Sequence, residues 1–560
     1  MFRIGWSSLA IAWLAVHSPA WAVEPRTVRG TAGLACRLYI EGDDGKFYFA
    51  RSADPDGSAI RYDVKRSASS LEQHTTLSAH PFVAELPPGR YTVTAERGKE
   101  YTVAVQSLIV PEAGDVPEVT LSLVPWIDMP RLGWYSGDTH VHRKLDELPN
   151  LVEAEDLHVV LPLTYWVRGA YDSPAQMPVG GHPKPEVQVI KSRTGPGAAQ
   201  IERVIWPINT EYELFTVKGK SHTEGAVFVL NHKAPLTASA PPAAAVARAA
   251  REQGAILDLD KHSWNWSMMV VPIMNVDLFE LANNHIWRTG FLFNNWTLDM
   301  LPKDWEIESD PTGYTEAGWI DWGFKTYYAL LNCGFRMRPT GGTASGVHPV
   351  PLGFGRVYVE CPDGFSYEKW IRGLNAGRSF VTTGPMLRVQ FDKSPAGTVF
   401  EKSQPHAVRI TGTAEGLRPL TRIEIVVNGE VAQVIDPQNR RAPDRKISGY
   451  ATALDVAVPI ERSSWMAVRC FESRPDLSPG GSEPVGNRSG SGQRPLYAHT
   501  APVHFEIDGP VRPRQREVNY FILRMEQEIV RNRGILAAEE VAEYEQALAI
   551  YREIARRTRN

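Results

Sequence analysis

Cysteine is scarce in this chain, and its pattern excludes two common classes of small domain. Four cysteines occur in 560 residues, at positions 36, 333, 361 and 470. This wide and irregular spacing fits neither a disulfide framework nor a zinc ribbon. We therefore expect free, buried thiols, and a single disulfide bridge is the alternative that the sequence leaves open.

Excess positive charge, long apolar runs and nucleophile motifs are also lacking. The net charge is −4 and the one basic tract is residues 556–559, so nucleic acid and anionic membranes are not expected partners. No apolar run in the sequence reaches the ~20 residues that a membrane-spanning helix needs. No Gly-x-Ser-x-Gly motif is present, which argues against a covalent serine mechanism.

The first 22 residues have the pattern of an export signal. Arg3 precedes an apolar stretch over residues 4–16, and Ala20-Trp21-Ala22 fits a small-x-small cleavage site. The rival interpretation, an uncleaved membrane anchor, needs a longer apolar stretch. We expect removal of residues 1–22 and a periplasmic or secreted mature chain.

Two strand-rich regions and a helical tail flank the centre of the chain. A Pro-Pro-Gly turn at residues 87–89 leads into alternating apolar residues, and residues 23–128 resemble a carboxypeptidase-regulatory-type β-sandwich. Residues 389–510 predict a second β-sandwich, with an Asn428-Gly429 hairpin turn and a mobile loop over residues 478–494. Residues 511–560 carry two apolar stripes at helical spacing, which predict a docked helical hairpin, or alternatively a dimerisation hairpin.

Short apolar runs in the middle of the chain end next to ligand-type side chains. The runs cover residues 157–165, 226–230, 255–259 and 276–281, and longer polar segments separate them. Such runs are typical of buried parallel strands in an α/β fold, whose sites form at the carboxyl ends of the strands. His232, His262 and His285 follow three of these runs.

The pair His140-x-His142 is the strongest metal-ligand signal. Side chains of an extended strand alternate, so both imidazoles point to the same side and can bind one divalent ion. A single His-x-His pair also arises by chance on a hydrated loop. Repetition of ligand-type residues along the following strands favours a metal centre.

The segment Gly133-Trp-Tyr-Ser-Gly-Asp-Thr-His-Val-His-Arg143 resembles the opening motif of the CehA/McbA-type metallohydrolases, relatives of the PHP (polymerase and histidinol phosphatase) superfamily. Residues 209–213, 258–261, 283–285 and 377–385 support the resemblance. It implies a distorted seven-stranded β/α barrel over residues 129–388 that binds Zn, Mn or Fe. It also implies hydrolysis of a phosphoester, carboxylester or carbamate by metal-activated water.

The segment from residue 339 to His348 departs from the family pattern. Hydroxyl and glycine residues stand where relatives carry an Asp-x-His motif, and no histidine follows Glu155-Asp156 as the family would place it. We therefore expect one or two metal ions rather than three.

The candidate site residues fall into three groups by role. The metal ligands are His140, His142, Glu211, His232 and His285, and the candidate catalytic residues are Lys261 and Asp156. A surface role for Lys261 stays open, as does a solvated strand face for Glu211. The supporting or unassigned residues are Asp138, which is expected to orient an imidazole, and Glu155, Asp258, His262, Asn284 and His348.

Aromatic residues beside these motifs bear on the substrate. Trp134, Tyr135, Tyr165, Trp166, Trp264 and Trp266 could line a cleft for a small molecule or a glycan-like ligand, or could pack as a lid. Two other functions remain open: a catalytically degenerate extracellular ligand-binding protein, and a structural surface protein.

Overall fold

The computed structural model describes residues 24–177, 185–192, 200–287, 290–441, 449–473, 495–507 and 509–558. The predicted signal segment and the predicted loop over residues 478–494 lie outside these ranges. Within them the chain is a strand-rich, mixed α/β, multidomain fold with seven α-helices. None of the helices in these ranges is both long and apolar enough to cross a membrane.

The N-terminal region is a β-sandwich-like pair of sheets. One sheet has the order β10-β1-β7-β4, and the other has the order β5-β6-β2-β8-β9 with β3 paired to β2. Apolar side chains from both sheets, such as Leu38, Phe82 and Val93, form their own core. The strands are β1 (Arg26–Thr31), β2 (Cys36–Gly42), β3 (Phe47–Tyr48), β4 (Arg51–Ser52), β5 (Ala59–Lys65), β6 (Leu71–Leu77), β7 (Phe82–Leu86), β8 (Gly89–Glu96), β9 (Ala104–Val110) and β10 (Val119–Thr120).

The central region alternates strands with helices. Its helices are α1 (Leu148–Ala154), α2 (Ala243–Glu252), α3 (Ser267–Met274), α4 (Glu316–Asn332) and α5 (Tyr367–Ala376), and short 3-10 turns cover Pro130–Leu132, Leu298–Met300 and Lys303–Trp305. Its strands are β11 (Trp134–Val141), β12 (Val159–Pro162), β13 (Tyr165–Gly169), β14 (Ala175–Gln176), β15 (Gln188–Ser192), β16 (Ile201–Ile205), β17 (Thr210–Val217), β18 (Lys220–Ser221), β19 (Ala226–Leu230), β20 (Ile256–Leu259), β21 (Leu278–Ala282), β22 (Ser309–Asp310), β23 (Gly313–Tyr314), β24 (Arg338–Gly341), β25 (Arg356–Glu360) and β26 (Ser379–Thr382).

Hydrogen bonding places the central strands in two sheets. β16, β12 and β11 pair in parallel in one sheet, and β13, β17, β19, β20, β21 and β24 follow one another in the other. The segment after β24 contacts β11 of the first sheet: the N–H groups of Thr343 and Ala344 donate to the carbonyl of His140, and a single bridge joins Val141 to Ser345.

The expectation that the apolar runs form only parallel strands is wrong for β19. This strand pairs antiparallel with both β17 and β20. Only eight residues separate β17 from β19, and a parallel return needs a crossover of a dozen or more. The chain instead turns at Lys218 and Gly219, which both have positive φ.

The C-terminal strand region shares a sheet with the central region. β35 pairs with β26, and the same sheet continues through β34, β30 and β31, so the predicted boundary at residue 389 does not separate the sheets. The predicted Asn428-Gly429 turn is confirmed, since both residues have positive φ between β30 and β31. The strands are β27 (Met386–Phe391), β28 (Val399–Glu401), β29 (His406–Gly416), β30 (Leu420–Val427), β31 (Glu430–Ile435), β32 (Arg440–Arg441), β33 (Tyr450–Ile460), β34 (Ser464–Ser473), β35 (Pro495–Thr500) and β36 (Val503–Glu506).

The predicted helical hairpin is confirmed. Helices α6 (Gln515–Asn532) and α7 (Ala538–Arg556) pack against each other and against α3. Glu543 of α7 accepts hydrogen bonds from the N–H groups of Ala243 and Ala244, and so caps the start of α2. The tail is therefore an integral layer of the central region.

The expectation of free, buried thiols is also confirmed. All four cysteines are buried and none is in a disulfide. Burial raises the pKa of the Cys36 thiol to about 12, so this side chain behaves as a small apolar group rather than as a nucleophile.

Candidate metal centre

His140 and His142 meet at the carboxyl end of β11, where the strand leaves the sheet. Both side chains are buried, and their Nε2 atoms are 3.1 Å apart. The ring of Phe228 on β19 packs edge-on against His140 with the ring centroids 4.5 Å apart. The alternation along β11 therefore brings the two imidazoles together as the sequence predicts.

Three buried carboxylates from other strands surround this pair. Glu211 Oε2 of β17 is 3.3 Å from His142 Nε2, and Glu280 Oε2 of β21 is 2.9 Å from His140 Nδ1. Asp260, directly after β20, has Oδ1 3.8 Å from His140 Nδ1. Two sets of ligand atoms each lie within 4.8 Å of one another: His140, His142 and Glu211, and His140, Asp260 and Glu280. We call these five residues the metal-ligand cluster.

The Lys261 ammonium lies among the carboxylates of this cluster. Its Nζ is hydrogen-bonded to Asp260, lies 3.1 Å from Glu213 Oε1 and lies 3.9 Å from Glu211 Oε1. The side chain is 5% exposed, so the surface role left open by the sequence does not apply. Despite burial, these three carboxylates raise the pKa of Lys261 and keep it charged.

Burial sets the protonation of the cluster. It lowers the pKa of His142 to about 3 and that of His140 well below its usual value, so both imidazoles are neutral and able to ligate. Burial also raises the pKa of Glu211 and of Glu280 well above the ordinary range, and raises that of Asp260 to about 6. Four carboxyl groups, counting Glu213, thus face one ammonium, and a divalent cation would relieve this excess of acidic groups.

Several polar side-chain atoms of the cluster residues have no hydrogen-bond partner in the described part of the chain. They include His142 Nδ1, Glu211 Oε2 and Asp260 Oδ1, all inaccessible to solvent. A buried polar atom without a partner costs about 1–3 kcal/mol. Neutral imidazole nitrogens and carboxylate oxygens are also the donors that zinc, manganese and iron accept. The residues present therefore fit a divalent metal ion.

Asp138 and Asp258 support the backbone around the cluster. Asp138 accepts bonds from the N–H groups of His140 and Gly353 and from the hydroxyl of Thr343 (2.6 Å), so it fixes the His140 backbone rather than an imidazole, contrary to the prediction. Asp258 accepts a 2.7 Å bond from the hydroxyl of Thr340. Thr340 and Thr343, which lie in the segment 339–348 that departs from the family pattern, thus donate their hydroxyl groups to carboxylates.

A second group of histidines, His262, His285 and His348, packs among aromatic side chains. The rings of His285 and His348 have centroids 5.7 Å apart, and each has an Nδ1 without a partner among the described residues. His262 packs against Trp319. Burial lowers the pKa of all three histidines. The backbone N–H of Asn284 donates to Glu280 Oε1 at 2.6 Å. None of these three histidines, including the predicted ligand His285, belongs to the two ligand sets, and the bond from Asn284 connects the segment before His285 to the cluster.

Three predicted residues are engaged elsewhere. His232 is bonded through Nε2 to the Thr210 hydroxyl (2.9 Å) and through Nδ1 to the carbonyl of Ala234 (2.8 Å), so both of its ring nitrogens are occupied. Asp156 pairs with Arg97 and Arg203, which hold the pKa of this carboxyl well below its usual range despite burial, and Glu155 pairs with Arg37. The structure does not bring these three residues to the metal-ligand cluster. Glu155 and Asp156 follow α1, and His232 follows the carboxyl end of β19, which runs antiparallel to β17 and β20.

Asp260 and Glu280 belong to the cluster but were not predicted from the sequence. Glu280 lies within one apolar run, and Asp260 directly follows another. The other side chains of both strands are buried. A carboxylate embedded in such a run is costly unless it has a partner, and this cost is the signal that could have found them.

The aromatic residues beside the motifs divide between the cluster and the cores. Trp166 lies 5.7 Å from the His142 ring, and Lys261 Nζ is 5.0 Å from the Trp264 ring. Trp134 packs against Phe380 in the core of the C-terminal strands. Trp166 therefore lies beside the cluster, and Trp264 lies beside Lys261.

Gly342 gives His140 the space that it occupies. A Cβ at this position would overlap the Cβ of His140 and lie 3.0 Å from Glu280 Oε2. We expect Gly342→Ala to displace His140, to weaken metal binding and to destabilise the fold by about 1–3 kcal/mol. Gly89→Ala is the matched control, because its added methyl would meet only the Tyr91 ring at an ordinary 3.7 Å. Equal metal contents in the two purified variants would contradict the prediction.

No protein-family model matches the chain, and neither a curated protein nor a solved structure is significantly similar to it.

Proposed function

We propose that this chain is an exported, metal-dependent hydrolase of the CehA/McbA type that acts on an ester-type bond. The observation that carries the proposal is the convergence of two neutral imidazoles and three carboxylates in one buried cluster. β12 and β11 pair in one sheet, and β13, β17, β19, β20, β21 and β24 follow one another in the other. Counting β12 with β13, these are seven strand positions, which supports the finer proposal of a distorted PHP-like barrel.

The ligand set supports a single ion at one face of His140. His140 Nε2, His142 Nε2 and Glu211 would hold the ion, and three protein ligands with a free position are typical of catalytic zinc sites. Glu280 then accepts the proton on His140 Nδ1 at 2.9 Å, which fixes the tautomer that leaves Nε2 free. The second set, with Asp260 and Glu280, would accommodate a further ion only if His140 lost this bond.

The remaining groups have the chemistry of ester hydrolysis. A divalent ion lowers the pKa of bound water to about 7 and polarises the substrate carbonyl or phosphoryl oxygen. The Lys261 ammonium can donate a hydrogen bond to a developing oxyanion, and Asp260 Oδ1 has no partner among the described residues and can accept a proton. Trp166 and Trp264 supply apolar surface for the rest of a small molecule.

A catalytically inactive ligand-binding protein is the second candidate. It is favoured by the segment 339–348. There the hydroxyl groups of Thr340 and Thr343 donate to Asp258 and Asp138, and neither residue provides a further metal ligand. The same metal binding without turnover would identify this case.

The direct test is elemental analysis of chelator-free protein together with a screen of phosphoester, carboxylester and carbamate substrates. We expect about one ion per chain and hydrolysis of at least one class. Protein without bound metal would contradict both candidates, and metal without turnover would leave only the binding protein.

Glu280→Gln tests the orienting role of this carboxylate. We expect metal affinity to fall by about 10- to 100-fold, because the amide is a weaker acceptor for the His140 proton. Glu72→Gln is the matched control: Glu72 pairs with His74 Nδ1 at 2.8 Å in an equally buried contact within the N-terminal region. Competition with a fluorescent chelator would measure both affinities, and an unchanged Glu280→Gln affinity would show that Glu280 does not orient the ligand.

A further inference from the structure

A cavity lies between the N-terminal β-sandwich-like region and the start of the central strands. Its volume is about 720 Å³, within the range of small-molecule sites. Residues of the linker to β11, of β16 and of the segment before α5 line it. None of the five residues of the metal-ligand cluster is among the lining residues, so the cavity is distinct from that centre.

The wall of this cavity contains a buried histidine with a free nitrogen. His158 is 1% exposed, and its Nε2 is the buried polar atom of the lining that has no partner within the described chain. The carboxylates beside it are occupied: Asp156 accepts from Arg203 at 2.6 Å, and Glu100 accepts from the Tyr358 hydroxyl at 3.0 Å. A hydrogen bond from a ligand to His158 Nε2 would therefore replace no existing hydrogen bond.

The neighbouring hydrogen bonds fix which ring nitrogen of His158 carries the proton. The hydroxyl of Ser136 donates its single hydrogen to the carbonyl of Asp156 at 3.1 Å. The same oxygen can then only accept from His158 Nδ1, at 3.4 Å. Burial lowers the pKa of His158 to about 3, so the ring is neutral, and Nε2 is an acceptor that requires an O–H or N–H donor.

Charge around the cavity favours an uncharged ligand. The guanidinium groups of Arg97, Arg203 and Arg356 lie near enough to His158 to contribute to its lowered pKa, which disfavours a cation there. Asp128, Glu202 and Arg131 also line the cavity, so two carboxylates accompany one guanidinium and an anion gains no net attraction from these groups.

Three partly exposed aromatic rings form the rest of the binding surface. Tyr135 and Phe365 have ring centroids 5.1 Å apart, and each packs against His158, at 5.0 and 5.7 Å. Tyr101 lines the cavity from the N-terminal region. We propose that this cavity binds an uncharged aromatic alcohol, whose hydroxyl donates to His158 Nε2 and whose ring packs against Tyr135 and Phe365.

Phenol and its methyl ether, anisole, are the probes that test this inference on the full chain. Calorimetric titration is expected to show saturable phenol binding and roughly 2- to 10-fold weaker anisole binding, because anisole cannot donate the hydrogen bond. Benzoate and benzylammonium are expected to bind more weakly than phenol. Absence of saturable phenol binding, or equal affinities for phenol and anisole, would overturn the proposal.

Two variants separate the hydrogen bond from the aromatic surface. His158→Phe should make the phenol and anisole affinities equal, and Phe365→Ala should weaken both by a similar factor. Phe365 is only partly buried, so this second variant keeps the test decisive even if His158→Phe does not fold. Phenol binding unchanged by Phe365→Ala would contradict the assignment.

Phenol titration of the His140→Ala/His142→Ala variant distinguishes the two sites. Phenol affinity should be retained in this variant once it is shown to be folded. Loss of phenol binding together with metal would place the aromatic ligand at the metal-ligand cluster and would overturn the separate site. Retained phenol binding in a protein that never binds metal would leave the inference standing while the proposed hydrolase fails.

Discussion

Replacement of both His140 and His142 with alanine is expected to abolish tight metal binding and all ester hydrolysis. The two Nε2 atoms, 3.1 Å apart, are two of the three ligands that would hold the ion, and Glu211 alone cannot restore the geometry. Metal counted per chain in purified protein, together with turnover of the substrate found in the screen, would measure the effect. His348→Ala should have a weaker effect, because His348 packs beside His285 rather than within the cluster.

The matched control for this variant removes two histidines that lie outside the central region. His80 precedes β7, and His406 pairs with Asp392 at the start of β29. His80→Ala/His406→Ala should keep full metal content, and circular dichroism should show folded protein in both double variants. A full metal complement in the His140→Ala/His142→Ala variant would refute the ligand assignment.

Deletion of residues 511–560 is expected to prevent folding of the central region. Val518, Phe521, Met525, Tyr544 and Tyr551 are buried in the same core as the central strands. Loss of one large buried side chain costs about 2–5 kcal/mol, and whole domains are stable by only about 5–15 kcal/mol. The truncated chain should therefore be insoluble or should lack a cooperative thermal transition.

Surface substitutions on the same helices provide the comparison for the deletion. Leu523 and Val530 are 51% and 70% exposed, so Leu523→Ala and Val530→Ala should change stability by less than about 0.5 kcal/mol. A soluble truncation with an unchanged melting temperature would contradict the role of the hairpin. A truncation that folded but lost its metal would show that the tail supports the cluster directly.

Local patterns predicted those parts of the molecule that local physics determines. The Asn428-Gly429 turn, the two C-terminal helices and the side-by-side imidazoles of β11 depend on residues close together in sequence. The pairing of β35 with β26 could not be predicted, because it joins segments more than 100 residues apart. Adjacency to an apolar run also failed for Asp156, which precedes one, and for His232, which follows one. Their partners Arg97, Arg203 and Thr210 are set by tertiary packing.

The shared sheet has a consequence for the order in which the molecule can assemble. β35 completes the hydrogen bonding of β26, and the Tyr497 hydroxyl donates to the carbonyl of Leu281, one residue beyond Glu280. Contacts of such long sequence separation form slowly, because the loop must close before any interaction rewards it. A growing chain that ends before residue 500 has an unpaired edge on β26, so the strands that carry the metal-ligand cluster reach their final support only after this residue has been synthesised.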